Sequence, residues 1–170
     1  VYGDSQSGRS FRFNALYYPI RTVLFLKNLY EKDLREDGGK RAQAMMVREM
    51  DGNIWLPIRL EAPKDGGINL IPIDYLLDAF IAIMEGCLEG GIFHIVSSRP
   101  KEIGELIEYT QRMFRISGMR TSSGEDWARN PRNALELLFE SYVEAYTPYI
   151  QDTRVFANSR SERILQKHHL

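Results

Sequence analysis

The sequence has little cysteine, no excess of charge of either sign and no long hydrophobic run. Only Cys87 occurs among 170 residues, so the chain can form no internal disulfide and has no cysteine cluster for a metal ion. Its 22 basic and 23 acidic residues give a net charge of -1, which excludes a bulk attraction to nucleic acid or anionic lipid. The composition is typical of a soluble globular domain, and the single thiol favours a cytoplasmic location.

Neither a signal peptide nor a membrane-spanning helix is predicted. The N-terminus lacks a basic region followed by an apolar run. The most apolar stretch, residues 15–30, is interrupted by Arg21 and Lys27. It therefore falls short of the roughly 20 apolar residues that a bilayer requires.

The motifs of several common enzyme classes are also missing. There is no GxGxxG or GxxxxGK[ST] turn to bind a phosphate, and no GxSxG elbow around a serine. His168 and His169 lie in the tail without a third ligand at a suitable spacing, which leaves their role open and predicts no metal site. His94 alternates with apolar neighbours and is interpreted as a structural histidine.

The apolar pattern predicts two units, each a strand followed by a helix. Together with the further helices, these units predict an α/β class with an excess of helix. Residues 68–73 have the pattern of a short buried strand, and Asp74 is placed to cap the apolar helix that follows it. Residues 90–98, rich in β-branched and aromatic side chains, predict a second strand. Residues 99–114 predict a second helix, with apolar positions at helical spacing.

The chain before these units predicts a helix and one short strand. The segment 19–30 is apolar on most faces, and the glycine pair 38–39 is a stop signal. The stretch 54–60 reads as a short strand, which Pro57 restricts to a sheet edge because proline donates no hydrogen bond.

The chain after these units predicts a loop, a further helix and a frayed end. Residues 121–130 are predicted to be the loop, and residues 132–146 have a strong amphipathic pattern, opened by Asn130 with Pro131. Pro148 should end that helix, and residues 157–170 should fray. The acidic row of the helix is interpreted as a solvated face: Glu136, Glu140 and Glu144.

A group of polar and aromatic side chains at the start of the first helix is a candidate ligand site. Tyr17, Tyr18 and Arg21 follow a loop and bring polar ends to an otherwise apolar helix. Ordinary packing explains the same residues equally well.

Four segments, taken in order, resemble the C-terminal half of an extended short-chain dehydrogenase/reductase: VYGDSQSG, INLIPIDYLLDAFIAIM, GGIFHIVSS and YIQDTRVFA. The nearest branch is the male-sterility, fatty acyl-CoA reductase and thioester reductase type. The resemblance implies that residues 1–170 form one helix-rich substrate lobe of a Rossmann-type reductase, whose nucleotide-binding half precedes Val1. It implies NAD(P) as the cofactor of the longer protein.

The family's catalytic and cofactor motifs do not occur in this sequence. Relatives bind the dinucleotide on an N-terminal GxxGxxG turn and donate a proton from a Tyr-x-x-x-Lys pair. Tyr17 is followed four residues later by Arg21, and no tyrosine has lysine at that spacing. No catalytic residue is therefore carried over, and this chain alone is expected to bind no cofactor and to be inactive.

The resemblance also assigns site residues. Val1, Tyr2 and Gly3 match the turn that borders the nicotinamide end of the cofactor site in relatives. The loop and helix that follow match the substrate-side wall, with these expected substrate-binding residues: Asp4, Ser5, Asn14, Tyr17, Tyr18 and Arg21. An apolar wall on the first helix, formed by Tyr17, Tyr18, Ile20, Leu24 and Phe25, suits a small-molecule acyl or thioester substrate.

Two alternatives remain open. One is the lobe of a sugar-nucleotide epimerase or dehydratase, which shares the architecture and differs in the pocket. The other is a non-catalytic helical module that works through protein contacts. An apolar surface left by the missing Rossmann half would serve such contacts or favour a homo-oligomer.

Overall fold

The computed structural model describes residues 1–11, 15–63, 67–87 and 90–170. It divides into two compact units. The first unit consists of Val1–Phe13, Ile68–Lys101 and Arg154–Leu170, and the second of Asn14–Gly67 and Glu102–Thr153. The chain is mixed α/β, with 52% helix and small sheets, so the predicted α/β class with an excess of helix is confirmed. In the described part of the chain, every helix is too short or too polar to cross a membrane.

Eight α-helices and seven short strands are assigned over the described residues. The helices are α1 (Tyr17–Glu36), α2 (Lys40–Ala44), α3 (Ile73–Gly86), α4 (Ile103–Phe114), α5 (Gly124–Arg129), α6 (Ala134–Val143), α7 (Thr147–Ile150) and α8 (Ser159–Leu165). The strands are β1 (Arg48–Met50), β2 (Asn53–Trp55), β3 (Arg59–Glu61), β4 (Gly67–Ile68), β5 (Lys101–Glu102), β6 (Ile116–Ser117) and β7 (Arg120–Ser122). Single 3₁₀ turns follow α6 and α8, at Glu144–Tyr146 and Gln166–His168.

Helix α1 forms because apolar residues recur every three or four positions and turn one face inward. Its buried residues are Thr22, Val23, Leu26, Tyr30 and Asp33. The helix continues through the charged run to Glu36. Gly38 and Gly39 then take φ angles of 76° and 71°, a left-handed backbone that glycine adopts without strain. The predicted helix and its stop signal are both confirmed.

The sheets of the second unit are small and mixed. Strand β2 pairs antiparallel with β1 and parallel with β6, whereas β3 pairs parallel with β7. Pro57 lies between β2 and β3, and its missing N–H divides the strand predicted over 54–60 into two. The predicted edge position is wrong for β2, which is the central strand of its three-stranded sheet.

Apolar side chains from helices and strands form the core of the second unit. Its fully buried members include Leu26, Leu56, Ile58 and Leu135. Gly118 lies beside this core with a φ of 92°, and a Cβ added there would lie 2.8 Å from the ring of Trp55 and 2.9 Å from the carbonyl oxygen of Leu56. Only glycine fits this position without displacing the backbone.

The first unit is built around α3, as the apolar pattern predicted. Ala79, Ala82 and Ile83 are buried on one face of α3 and pack against Leu165 of α8. The sequence predicted a frayed end over 157–170, but α8 lies within it. The reason is that small alanines on α3 leave room for Leu165, which is only 4% exposed.

The second predicted strand is not formed. Residues 90–98 have no regular secondary structure where the chain is described. A strand needs a neighbour to pair its backbone groups, and here the side chain of Asn69 takes that place. Asn69 Oδ1 accepts from the N–H of Ser97 at 3.0 Å, and Asn69 Nδ2 donates to the Ser97 carbonyl at 3.2 Å.

Several helix boundaries in the second unit also differ from the prediction. Helix α4 is confirmed, but the predicted loop over 121–130 contains the end of β7 and all of α5. Helix α6 is capped by Asn133, and Asn130 instead lies at the C-terminal end of α5. Helix α6 ends at Val143, and Pro148 lies in the first turn of α7, where a proline needs no N–H partner.

Candidate functional site

The first three residues run beside the segment that leads into α3. Tyr2 forms a parallel bridge with Pro72. The N–H of Tyr2 donates to the carbonyl of Ile71 at 2.9 Å, and the N–H of Ile73 donates to the carbonyl of Tyr2 at 3.1 Å. Both segments therefore run in the same direction and end on the same side, one at the buried Gly3 and the other at the start of α3. They form one isolated bridge and no assigned strand, and in α/β proteins ligands bind where parallel strands end in this direction.

Asp74 joins these two segments by accepting hydrogen bonds from Ser5. The N–H of Ser5 donates to Asp74 Oδ1 at 3.0 Å, and the Ser5 hydroxyl donates to Asp74 Oδ2. The predicted capping position of Asp74 is wrong, because the N-cap residue is Pro72 and Asp74 lies within the first turn of α3. The hydrogen bond from the Ser5 hydroxyl, opposed by desolvation, holds the pKa of Asp74 below its usual value.

Asp4 organises the loop that follows. Its Oδ1 accepts from both the N–H and the hydroxyl of Ser7 at 2.6 Å, which lowers the pKa of the Asp4 carboxyl. The backbone closes the same loop, since the N–H of Gly8 donates to the Asp4 carbonyl and the Asp4 N–H donates to the Arg9 carbonyl, both at 2.9 Å. Gly8 takes a φ of 68°, which a turn of this kind requires.

This edge of the first unit has a defined chemical character. The carboxylates of Asp4 and Asp74 carry negative charge, and the hydroxyl of Ser5 is engaged by Asp74. The arrangement can accept hydrogen bonds from hydroxyl or amide groups of a ligand, and it repels a phosphate placed close to it. It suits the border of a site better than a phosphate-binding centre.

The structure divides the predicted site residues between the two units. Val1, Tyr2, Gly3, Asp4 and Ser5 all belong to the first unit, and the hydrogen bonds above bring Tyr2, Asp4 and Ser5 into one edge with Asp74. Val1 is largely exposed at the end of this edge.

The remaining predicted residues lie on or before α1, in the second unit. Tyr18 stacks on Tyr146 with ring centroids 5.1 Å apart and an interplanar angle of 27°. Tyr17 is half-buried and Arg21 is exposed. Asn14 lies outside the described residues. Packing therefore accounts for the ring of Tyr18, and a ligand contact by any of these residues stays a prediction.

Sequence reasoning missed a buried polar pair of the second unit that has several hydrogen bonds, Arg59–Glu136. Glu136 is 1% exposed, so its interpretation as part of a solvated face is wrong. Arg59 Nε and Nη2 donate to the two carboxylate oxygens of Glu136 at 2.7 and 2.8 Å, and the Arg59 N–H donates to Oε1 at 2.9 Å. Such a bidentate pair fixes β3 against α6.

Asn133 forms further hydrogen bonds with Glu136 of this buried pair. Asn133 and Glu136 form a capping box at the start of α6, with each side chain accepting from the other's backbone N–H at 2.9 Å. Burial would raise the pKa of Glu136, but hydrogen bonds from Arg59 and Asn133 lower it further than burial raises it. The Asn-x-x-Glu spacing before an apolar run is the signal that could have located this cap.

Arg59 has further partners that hold its guanidinium in place. Nη1 and Nη2 donate to the carbonyls of Asn130 and Pro131 at 3.0 and 3.1 Å, and the guanidinium lies over the ring of Trp127 at 4.2 Å. The guanidinium of Arg132 lies 4.3 Å from the same ring. Because the Glu136 carboxylate is sealed from solvent, it can position β3 and α6 but cannot itself contact a ligand.

No metal centre is formed by the described residues, since no three His, Cys, Asp or Glu side chains cluster there. His94 Nδ1 lies 3.0 Å from the carbonyl oxygen of Ala157, and its ring is 5.4 Å from that of Phe156. These contacts agree with a structural histidine. No protein-family model matches the chain, and neither a curated protein nor a solved structure does.

Proposed function

We propose that the chain is the substrate-binding C-terminal part of an NAD(P)-dependent oxidoreductase of the extended short-chain type, acting on an acyl or thioester substrate. The observation that carries the proposal is the parallel bridge between Tyr2 and Pro72. After this single bridge one segment enters a tight loop and the other enters a helix, as neighbouring strands of a Rossmann sheet do at its ligand edge.

The exposed face of α3 supports the same proposal. Five large apolar side chains, each between 38% and 62% exposed, lie on the side of α3 opposite to its buried alanines: Ile73, Leu77, Phe80, Ile81 and Met84. Contiguous apolar surface of this kind marks an interaction face. In the proposed reductase, the nucleotide-binding half covers it.

The segment 90–98 gives a second supporting argument. Its composition predicts a strand, yet no strand pairs with it in the described part of the chain. In the proposed reductase the missing partner belongs to the Rossmann sheet.

The chain's own residues fit only one end of the cofactor. Val1, Tyr2 and Gly3 can border the nicotinamide, whose carboxamide can donate a hydrogen bond to an oxygen of this edge. The carboxylates of Asp4 and Asp74 disfavour the pyrophosphate here, so its binding site must lie in the nucleotide-binding half. When bound, the cofactor would supply the hydride, and Val1, Tyr2 and Gly3 would border its nicotinamide.

The apolar surface of α1 is the reason for preferring an acyl substrate to a sugar nucleotide. Phe25 and Leu29 are 50% and 36% exposed, and Phe25 meets Tyr142 edge to face with ring centroids 6.2 Å apart. A sugar nucleotide would need charged or hydrogen-bonding partners for its phosphates, whereas an acyl chain is bound by apolar contact.

A thermal-shift comparison on the longer protein, saturated with NADP(H), tests the substrate class. Acyl-CoA thioesters should raise Tm, and nucleotide sugars should not. A shift by nucleotide sugars alone would favour the epimerase or dehydratase lobe. If the longer protein lacks an upstream GxxGxxG turn and the chain self-associates through the exposed face of α3, the helical interaction module is favoured instead.

A further inference from the structure

The second unit contains a cleft with an apolar floor, separate from the edge described above. It has a volume of about 380 Å³ and lies between β3 and the two helices α6 and α7. Phe139 and Val143 are buried beneath it, and Leu60 and Ile150 are half-buried at its sides. The volume falls within the range of small-molecule sites, which are typically lined by apolar side chains with a few polar groups at the rim.

The rim of the cleft carries an excess of negative charge. Glu61, Glu140 and Glu144 contribute three carboxylates, and Arg132 contributes one guanidinium. Arg132 Nε donates to Glu140 at 2.5 Å, and its Nη2 lies 3.6 Å from Glu61. Arg59 also lines the cleft, but its charge is matched by Glu136. One guanidinium against three carboxylates leaves two negative charges unbalanced at the mouth.

We propose that this cleft binds a small ligand with an apolar body and a protonated amine. The apolar body displaces water from the floor formed by Phe139 and Val143, and the ammonium group offsets the charge at the rim. A ligand of the same size ending in a carboxylate meets repulsion at the same place. The inference does not depend on the proposed reductase, because it rests on the second unit alone.

Titration of the 170-residue chain with three matched probes tests this proposal. The probes are 2-phenylethylamine, 2-phenylethanol and phenylacetate, which share the aromatic body and differ in charge. In two-dimensional NMR, the amine should shift the signals of the cleft residues and bind up to about fivefold more tightly than the alcohol, the range expected of a partly exposed ion pair. Phenylacetate should bind more weakly than the alcohol.

Two variants separate the charge of the rim from general surface effects. Glu144→Gln should reduce the preference for the amine over the alcohol and leave binding of the alcohol unchanged, because Glu144 is exposed and its change removes only charge. Glu49→Gln, on the exposed strand β1 and outside the cleft, should leave the preference unchanged.

Three outcomes would overturn the proposal: no cleft signal moves with any probe, the three probes bind equally, or Glu49→Gln lowers the amine preference as much as Glu144→Gln. The last outcome would assign the preference to overall charge instead of the cleft.

Discussion

Replacing Arg59 by methionine should destabilise the chain far more than an ordinary surface substitution. The arginine side chain is 11% exposed, and the carboxylate of Glu136 beneath it is fully buried. Arg59→Met removes the guanidinium and keeps an unbranched side chain comparable to the aliphatic stem of arginine. The carboxylate then retains only the backbone N–H groups of residue 59 and Asn133 as donors.

The size of the effect follows from leaving a buried charge without its partner. Removing one member of a buried ion pair costs about 3–5 kcal/mol. The free energy of unfolding of a domain is about 5–15 kcal/mol. The substitution should therefore remove a large part of the stability and lower the urea concentration at the unfolding midpoint. The slope of the unfolding free energy against urea concentration should change little if unfolding is two-state.

Arg132→Met provides the matched control. Arg132 lies over the same ring of Trp127, but its partner Glu140 is 41% exposed, so the lost interaction is worth about 0–1 kcal/mol. Urea unfolding of both variants, followed by circular dichroism, measures the two losses side by side. Equal losses of 1 kcal/mol or less, about the value of a surface pair, would refute a buried role for Arg59.

The pH dependence of the same measurement has a defined sign. Hydrogen bonds lower the pKa of Glu136 below its ordinary value of 4.5. A carboxyl of this kind contributes its stability above the ordinary value and loses it as the pH falls through the lowered one. The difference in unfolding free energy between the wild-type chain and Arg59→Met should therefore narrow as the pH falls below 4.5. A gap that widens in acid would contradict the assignment.

The remaining predictions concern two backbone positions. Asp74→Ala removes both carboxylate oxygens that accept from Ser5, so hydrogen exchange of the Ser5 amide should quicken several-fold. In the wild-type chain, protection of this amide should persist at pH 3.8, the ordinary pKa of an aspartate, and vanish only at lower pH. Unchanged exchange would contradict this contact. Gly118→Ala, with its φ of 92° and a Cβ 2.8 Å from Trp55, should cost about 1–3 kcal/mol by urea unfolding. The control is Gly104→Ala in helix α4, where the added Cβ meets no atom within 4 Å, so this variant should lose no stability. A loss of unfolding free energy equal to that of Gly118→Ala would contradict the strain argument.

The elements that could be predicted from the sequence are those with strong local signals. Helices α1, α3 and α4 have continuous apolar periodicity, and the glycine pair 38–39 ends α1 as expected. Asp74 shows where local reasoning fails. The sequence places it at a strand–helix junction, which is typical of a cap, but in the structure it lies in the first turn of α3 and its partner Ser5 is 69 residues away in the sequence. No local pattern identifies such a partner.

Glu136 is a second example of a long-range partner overriding a local pattern. Its spacing from Glu140 and Glu144 is typical of a solvated helix face, yet Arg59, 77 residues earlier, draws it into the interior. The strand predicted over 90–98 failed for a related reason, because a strand forms only where another strand is present to pair with it.

Calorimetric titration with NADP(H) tests the central proposal most directly. The longer protein that includes the residues before Val1 should bind the dinucleotide at one site, and the 170-residue chain should show no heat of binding. Binding by the 170-residue chain, or no binding by the longer protein, would contradict the proposal that this chain is the substrate lobe of a reductase.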